Sequence, residues 1–155
     1  MDFIIQISQN TVLIAAVMGW FIAQVLKTII HLIITKKLVW ERMVGSGGMP
    51  SSHAATVCAL ATAAGLEYGG NSFPFAIAVI MAIIVMHDAR GVRWETGIQA
   101  RILNEMMETF RAMGRKMTAE EKLKEFVGHT PLQVLVGAIL GILIGAGTWW
   151  LMTQP

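Results

Sequence analysis

Charged side chains are scarce in this sequence: Asp, Glu, Lys and Arg make up 14% of its 155 residues, whereas 55% are hydrophobic. A mean hydropathy of +0.61 excludes an ordinary soluble domain. The one cysteine, Cys58, excludes a disulfide framework and is expected in a packed core. The net charge of +2 is too small for a nucleic-acid binder. Composition therefore predicts an integral membrane protein.

Long apolar runs predict four membrane helices, at about 11–35, 50–67, 73–89 and 130–152. The first and last can cross about 30 Å of hydrocarbon, and the last ends in Trp149 and Trp150, a pair typical of the membrane interface. The middle two are shorter and are joined by a Gly-Gly turn. We therefore predict an all-α helical bundle with about four transmembrane helices, in which residues 1–155 form a single membrane domain.

Lys and Arg are concentrated in the first and third connections, and the second connection has none. By the positive-inside rule, both basic connections are expected in the cytoplasm of a multi-pass protein of the inner (plasma) membrane. The third, at 89–128, has apolar residues at every fourth position and is expected to form interfacial helices. Within it, Thr118–Glu121 matches a capping box for a short helix that ends near Val127.

A glycine-rich loop precedes the second helix, with the sequence Gly-Ser-Gly-Gly-Met-Pro-Ser-Ser-His from Gly45 to His53. Its glycines let the backbone approach an anion, and Pro50 suits the first turn of a helix whose unpaired N–H groups favour negative charge. His129 precedes the last helix in the same way. Two imidazoles at helix N-termini suit phosphoryl transfer, one as nucleophile and one as proton donor. The structural alternative is that His53 only helps to cap its helix.

The first helix has a polar stripe, formed by Gln24, Lys27 and His31. Their spacing places them on one helical face, and a buried lysine must face the bundle interior or a hydrated cavity. The alternative is that the Lys27 side chain extends to the helix end. We interpret His31 and His87 as structural or peripheral.

These residues resemble the type 2 phosphatidic acid phosphatases and vanadium haloperoxidases, and more closely the small divergent bacterial and plastid branch of that superfamily. The family motif Pro-Ser-Gly-His is similar to the run that ends at His53, with Ser52 in place of glycine. The motif His-x-x-x-Asp is similar to the run from His129 to Gln133. The resemblance implies that His129 is the nucleophile and His53 the general acid, and that Ser51 and Ser52 bind phosphate.

Besides Ser52, the sequence departs from the family pattern at three positions. Gln133 replaces the orienting aspartate, and Leu123 replaces an arginine that precedes the nucleophile. The family's first motif has a lysine with an arginine seven positions later, whereas Lys27 has Ile34 at that position. Lys27 is still expected to bind phosphate. Gln133 can orient an imidazole by accepting its N–H, but it cannot stabilise an imidazolium by charge.

A run of Asp-Ala-Arg-Gly-Val-Arg from Asp88, followed by Gln-Ala-Arg-Ile-Leu-Asn ending at Asn104, resembles a signature of the divergent branch. Helical spacing aligns Arg93 with Asn104, with Arg90 one turn earlier, so both arginines are expected to bind phosphate. Asp88 is expected to orient a histidine or pair with Arg93, and Asn104 to assist in orientation. The alternative for the arginines is that they only set membrane orientation.

The predicted function is a lipid phosphatase, a phosphoric monoester hydrolase that acts through a phosphohistidine intermediate. Phosphatidylglycerophosphate, phosphatidic acid and prenyl phosphates all fit as substrates, and no cofactor or metal is implied, since the lone carboxylate of Asp88 does not hold a pair of divalent ions. The alternative is a nonenzymatic membrane protein that binds phospholipid headgroups or acts as an assembly or transport partner. A homodimer is a further hypothesis, because Gly137, Gly141 and Gly145 allow close helix packing and a second copy would complete the core of a four-helix chain.

Overall fold

The computed structural model describes residues 2–38, 40–43, 45, 47–114, 123 and 128–154, without the side chains of 41, 42 and 93. Its helices are α1 (Asp2–Ser8), α2 (Thr11–Thr35), a 3-10 turn (Trp40–Met43), α3 (Ser52–Tyr68), α4 (Phe73–Arg90), α5 (Val92–Ala112) and α6 (Pro131–Thr153). No strand occurs in the described ranges. The prediction of an all-α helical membrane bundle is confirmed.

Within the described ranges, three stretches are long and apolar enough to cross a membrane: α2, α6 and the segment Phe73–Ala112 that contains α4. The expected fourth span, α3, has 17 residues. At 1.5 Å per residue it is about 26 Å long, slightly less than the hydrocarbon thickness. It contacts α2, α4 and α6, so this shorter helix lies at the centre of the bundle.

Small residues form the core because α3 is rich in alanine. Its buried side chains include Ala54, Ala55, Ala59, Ala63 and Ala64. A Cβ added at Gly141 of α6 would lie 2.9 Å from Cα of Ala55 and from Cβ of Cys58. Cys58 is itself buried in this core. The backbones of α3 and α6 therefore approach closely, as small residues allow in membrane helix pairs.

The glycine stripe of α6 is used within the chain. Gly137, Gly141 and Gly145 all face α3, where an added Cβ would meet the backbone carbonyls of Ser51, Ala55 and Ala59 respectively. The sequence analysis used this stripe, as a site of close helix packing, to support the hypothesis of a homodimer. Since the stripe is buried against α3, it gives no support to a homodimer.

Two helix N-termini lie side by side. Ser51 is the N-cap of α3, with its Oγ accepting a first-turn N–H, because serine is preferred at that position. Pro50 therefore precedes the cap, and the prediction that it lies in the first turn is wrong. Thr130 and Gln133 form a capping box at the start of α6. The N–H of Ser51 donates to the carbonyl of Gln133 at 3.1 Å and joins the two N-termini.

Helix α5 follows α4 after Gly91 and contacts it. Its apolar side chains at every fourth position are exposed: Ile98, Ile102, Met106 and Phe110. Its place at the membrane interface stays a prediction. The capping box predicted at Thr118–Glu121 and the helix to Val127 lie outside the described residues.

Candidate active site

His53 and His129 meet where α3 and α6 begin. Nδ1 of His53 lies 3.4 Å from Nε2 of His129, and the rings are arranged edge to face at 68°. The backbone N–H of His129 donates to the carbonyl of Ala89 at 3.1 Å, which fixes this residue against the end of α4. His129 is 1% exposed. The fold therefore brings together the two histidines that the sequence interpretation paired.

The side-chain amide of Gln133 determines the tautomer of His129. Its Oε1 accepts the backbone N–H of Thr130 at 3.1 Å and lies 3.2 Å from Nδ1 of His129. A backbone N–H can only donate, so this hydrogen-bond network assigns the amide oxygen to that side and the proton to Nδ1. Nε2 of neutral His129 is then unprotonated and accepts a hydrogen bond from Nδ1 of His53.

Burial lowers the pKa of His129 from 6.5 to about 4. Hydrogen bonds with Gln133 and with the backbone of Gly48 raise the pKa, while the charges of His53 and Lys27 lower it further. Burial is the largest of these effects. At neutral pH the imidazole of His129 is therefore uncharged and has a lone pair on Nε2, as a nucleophile requires.

Lys27 lies inside the bundle and is only 3% exposed, so it does not extend to the end of α2. Its Nζ donates to Oε1 of Gln24 at 2.7 Å and to the carbonyl of Gly45 at 3.3 Å, and lies 3.5 Å from Oγ of Ser52. These acceptors compensate for the burial of an ammonium group. Because Gly45 belongs to the glycine-rich loop, Lys27 also holds that loop beside the histidines.

The loop passes close to Lys27 at Gly48. Gly48 has a φ of +83°, and a Cβ added there would lie 3.4 Å from Cγ of Lys27. Ser51 is fully buried and caps α3, and Ser52 is buried next to the ammonium group. Both serines therefore border the place where the cation and the helix N-terminus meet, and their binding of phosphate stays a prediction.

The segment that begins at Asp88 contacts the backbone of His129 through Ala89. Asp88 is half-buried in the last turn of α4, next to the residue whose carbonyl accepts the N–H of His129. Arg90 is exposed at the end of α4. Arg93 lies in the first turn of α5, and its side chain is outside the described residues. The roles predicted for these three residues stay predictions.

Asn104 hydrogen-bonds to the backbone of Leu123. It is 2% exposed, and its Nδ2 donates to the carbonyl of Leu123 at 2.9 Å. Its Oδ1 accepts the N–H of Leu123 at 3.0 Å. These two hydrogen bonds give Asn104 an anchoring role for the connection between α5 and α6, and the orienting role predicted from the sequence stays a prediction.

A cavity of 390 Å³ adjoins the histidine pair. It is lined by Lys27, Ile30, His31, Ile34, Gly48, Met49 and Gln133. Gln133, which contacts Nδ1 of His129, therefore separates the cavity from the histidine pair by a single side chain. Sequence reasoning interpreted His31 as structural or peripheral, yet it forms part of this wall. The available signal was its position one turn after Lys27 on the polar stripe.

The polar side-chain groups at the site are two imidazoles, an amide and an ammonium group. In the part of the chain that the structure describes, no group of three His, Cys, Asp or Glu side chains is placed to hold a metal ion. Imidazole, N–H and ammonium donors beside two helix N-termini are suited to binding an anion.

These features define a class, that of a helical membrane protein with a buried two-histidine site. The chain belongs to the divergent PAP2 family, whose sequence model matches residues 8–144. It is 38% identical over 144 residues to the uncharacterized membrane protein YuiD of Bacillus subtilis (strain 168). The alignment covers 87% of this chain and 91% of YuiD. No solved structure matches. The resemblance to a divergent branch of this superfamily is confirmed.

Proposed function

We propose that this protein is a membrane-embedded phosphatase that hydrolyses a lipid phosphomonoester through a phosphohistidine on His129. The observation that carries the proposal is the 3.4 Å contact between Nδ1 of His53 and Nε2 of His129, with Nδ1 of His129 held by Gln133. This contact pairs an unprotonated ring nitrogen with a proton donor in a buried site. Membership of the divergent PAP2 family supports phosphate chemistry at that site.

In the first step, Nε2 of His129 attacks phosphorus and the bond from phosphorus to the lipid alcohol oxygen breaks. Protonated His53 transfers its proton to the departing oxygen, so the lipid alcohol leaves neutral. The attacking nitrogen and the leaving oxygen lie roughly in line on opposite sides of phosphorus. The two rings must therefore move apart from 3.4 Å when substrate binds, because the phosphoryl group enters between them.

In the second step, water attacks the phosphorus of the phosphohistidine and the bond from phosphorus to nitrogen breaks. Neutral His53 accepts a proton from the attacking water. Inorganic phosphate leaves, and Nε2 of His129 recovers its lone pair while Gln133 keeps the proton on Nδ1. Both histidines return to their starting protonation states when phosphate departs.

Positive potential beside the pair would bind the phosphoryl oxygens. Lys27 supplies a buried ammonium group, and the N-termini of α3 and α6 lie side by side, so the positive ends of two helix dipoles add to it. We assign the hydroxyls of Ser51 and Ser52 to the same set. Arg90 and Arg93 are proposed as further phosphate ligands, and Asp88 as the carboxylate that orients a cation or an imidazole.

We locate the reaction at the cytoplasmic face of the inner (plasma) membrane. The connections that carry most of the Lys and Arg residues are those next to the histidine pair, and basic connections favour the cytoplasm. Candidate substrates are phosphatidylglycerophosphate, phosphatidic acid and prenyl phosphates. Vanadate is expected to inhibit the enzyme because it mimics pentacoordinate phosphorus.

The test is phosphate release from these lipids by purified protein in detergent. His129→Ala and His53→Ala are expected to abolish release, while His87→Ala is the matched control, since His87 is an exposed histidine at the end of α4. Retained release in the His129 variant would reject the phosphohistidine mechanism. Thermal unfolding of each variant verifies that it is folded.

A second candidate function is a nonenzymatic protein that binds phospholipid headgroups or serves as an assembly or transport partner. It is favoured by the neutral amide of Gln133, which cannot stabilise a charged imidazolium as an aspartate does. Trapping of labelled phosphate on His129 during turnover discriminates the two. A binder would show headgroup affinity without covalent phosphate.

A further inference from the structure

Among the described residues, the imidazole of His31 has no hydrogen-bond partner, although it lines the cavity beside the histidine pair. The other two polar side chains of that wall are engaged, Lys27 with the glycine loop and Gln133 with His129. The backbone carbonyl of His31 accepts a hydrogen bond from Oγ1 of Thr35 at 2.8 Å, which leaves the ring uninvolved. A half-buried polar ring with unused hydrogen-bonding capacity is available to a ligand.

The position of His31 determines which part of a ligand it meets. It follows Lys27 by four residues on α2, so the two side chains share one helical face and lie about 6 Å apart along the axis. Lys27 lies at the phosphoryl end of the cavity, close to the reacting pair. A ligand with its phosphoryl group at the histidines therefore presents its next polar group to His31.

The rest of the wall is suited to an amphiphile. Ile30, Ile34 and Met49 line the same cavity, and apolar walls with a few convergent polar groups are typical of ligand sites. A lipid headgroup with two acceptor groups joined by a short carbon unit would place one at Lys27 and the other at His31. Its hydrocarbon part would contact the isoleucines and the methionine.

We infer that His31 is a specificity-determining residue that donates a hydrogen bond to a phosphodiester next to the scissile phosphomonoester. The preferred substrate class is then a lipid whose headgroup carries both phosphates, such as phosphatidylglycerophosphate. Phosphatidic acid has the monoester alone and lacks the group that His31 contacts. This inference rests on the proposed phosphatase function and specifies the substrate of the same site.

The test measures kcat/KM for phosphatidylglycerophosphate and phosphatidic acid in the same detergent micelles. In His31→Ala, the ratio of the two values is expected to fall about tenfold, since a hydrogen bond to a charged group is lost. His31→Gln should partly restore the ratio because its amide N–H can donate. His87→Ala, on an exposed histidine, is the matched control. An unchanged ratio in His31→Ala, or equal losses on both lipids, would overturn the inference.

A binding measurement separates this inference from the phosphatase proposal. Native mass spectrometry of the same variants gives the affinity for each lipid without requiring turnover. If the wild type releases phosphate from neither lipid, the phosphatase proposal fails, but the inference still requires about tenfold tighter binding of the two-phosphate lipid and loss of that preference in His31→Ala. Equal wild-type affinities for the two lipids would overturn it.

Discussion

Gln133 orients His129 with the same oxygen that caps α6. Its Oε1 lies 3.2 Å from Nδ1 of His129 while it accepts the backbone N–H of Thr130 at 3.1 Å. The start of the helix and the tautomer of the imidazole are therefore determined by one side chain. An aspartate at this position, as in the family pattern, would add negative charge, whereas the amide supplies orientation alone.

Gln133→Glu is expected to increase the rate of phosphate release about tenfold. The carboxylate can accept the same two hydrogen bonds and adds a charge that stabilises the cationic imidazole of the intermediate. Gln133→Leu removes the acceptor and should lower the rate about hundredfold, because the tautomer of His129 is no longer selected. Steady-state kcat measures both effects. An unchanged rate in the Glu variant would show that charge at this oxygen does not limit the reaction.

The stability of the protein should depend on pH through His129. Its pKa is about 4 in the folded protein against an ordinary value of 6.5, so the unfolded chain binds the proton more tightly. The stabilisation from neutral His129 is therefore complete above pH 6.5 and is lost as the pH falls toward 4. We expect the unfolding temperature to fall less between pH 6.5 and pH 4 in His129→Gln than in the wild type. Parallel curves for the two proteins would contradict the lowered pKa.

The decline of kcat/KM at low pH should also be controlled by His129. Because the nucleophile must be unprotonated, kcat/KM is expected to decline with protonation of His129 near pH 4, well below the pKa of an ordinary histidine. Gln133→Glu should move this decline to higher pH, since a nearby carboxylate favours the imidazolium. A decline near pH 6.5 in the wild type would indicate that another group controls it.

Gly141→Ala is expected to destabilise the bundle by about 1–3 kcal/mol, because its Cβ would meet the backbone of Ala55 at 2.9 Å. Gly147→Ala is the matched control on the same helix, where an added Cβ has nothing within 4 Å. Thermal unfolding in detergent compares the two. Equal unfolding temperatures would mean that α3 and α6 can separate without cost.

Lys27→Met should reduce phosphate release by about hundredfold or more, because it removes the buried cation while keeping the side-chain length. Vanadate inhibition should weaken in parallel. Lys37→Met, at an exposed lysine after α2, is the control for loss of a positive charge near the membrane. Full activity in Lys27→Met would exclude this residue as a phosphate ligand and leave it the role of holding the glycine loop.

Local patterns were sufficient for some features and not for others. Apolar runs predicted helices because a chain in hydrocarbon must satisfy its own backbone groups. The polar stripe on α2 indicated a buried Lys27, since an ammonium group needs acceptors in that setting. The glycine stripe of α6 predicts close packing equally well within a chain or between chains, so its use against α3 could not be derived. The anchoring of Leu123 by Asn104 likewise depends on a contact that spacing does not specify.

The sequence alone determined that this is a helical membrane protein of the divergent PAP2 family, because hydropathy and short motifs are properties of neighbouring residues. Gln133 and His129 are four residues apart, so their contact is local and was predicted, whereas tertiary structure decided that His53 and His129 are in contact. It also decided that His31 lines the cavity beside them. The histidine contact and the cavity wall each involve residues of separate helices, so they form only when α2, α3 and α6 pack together.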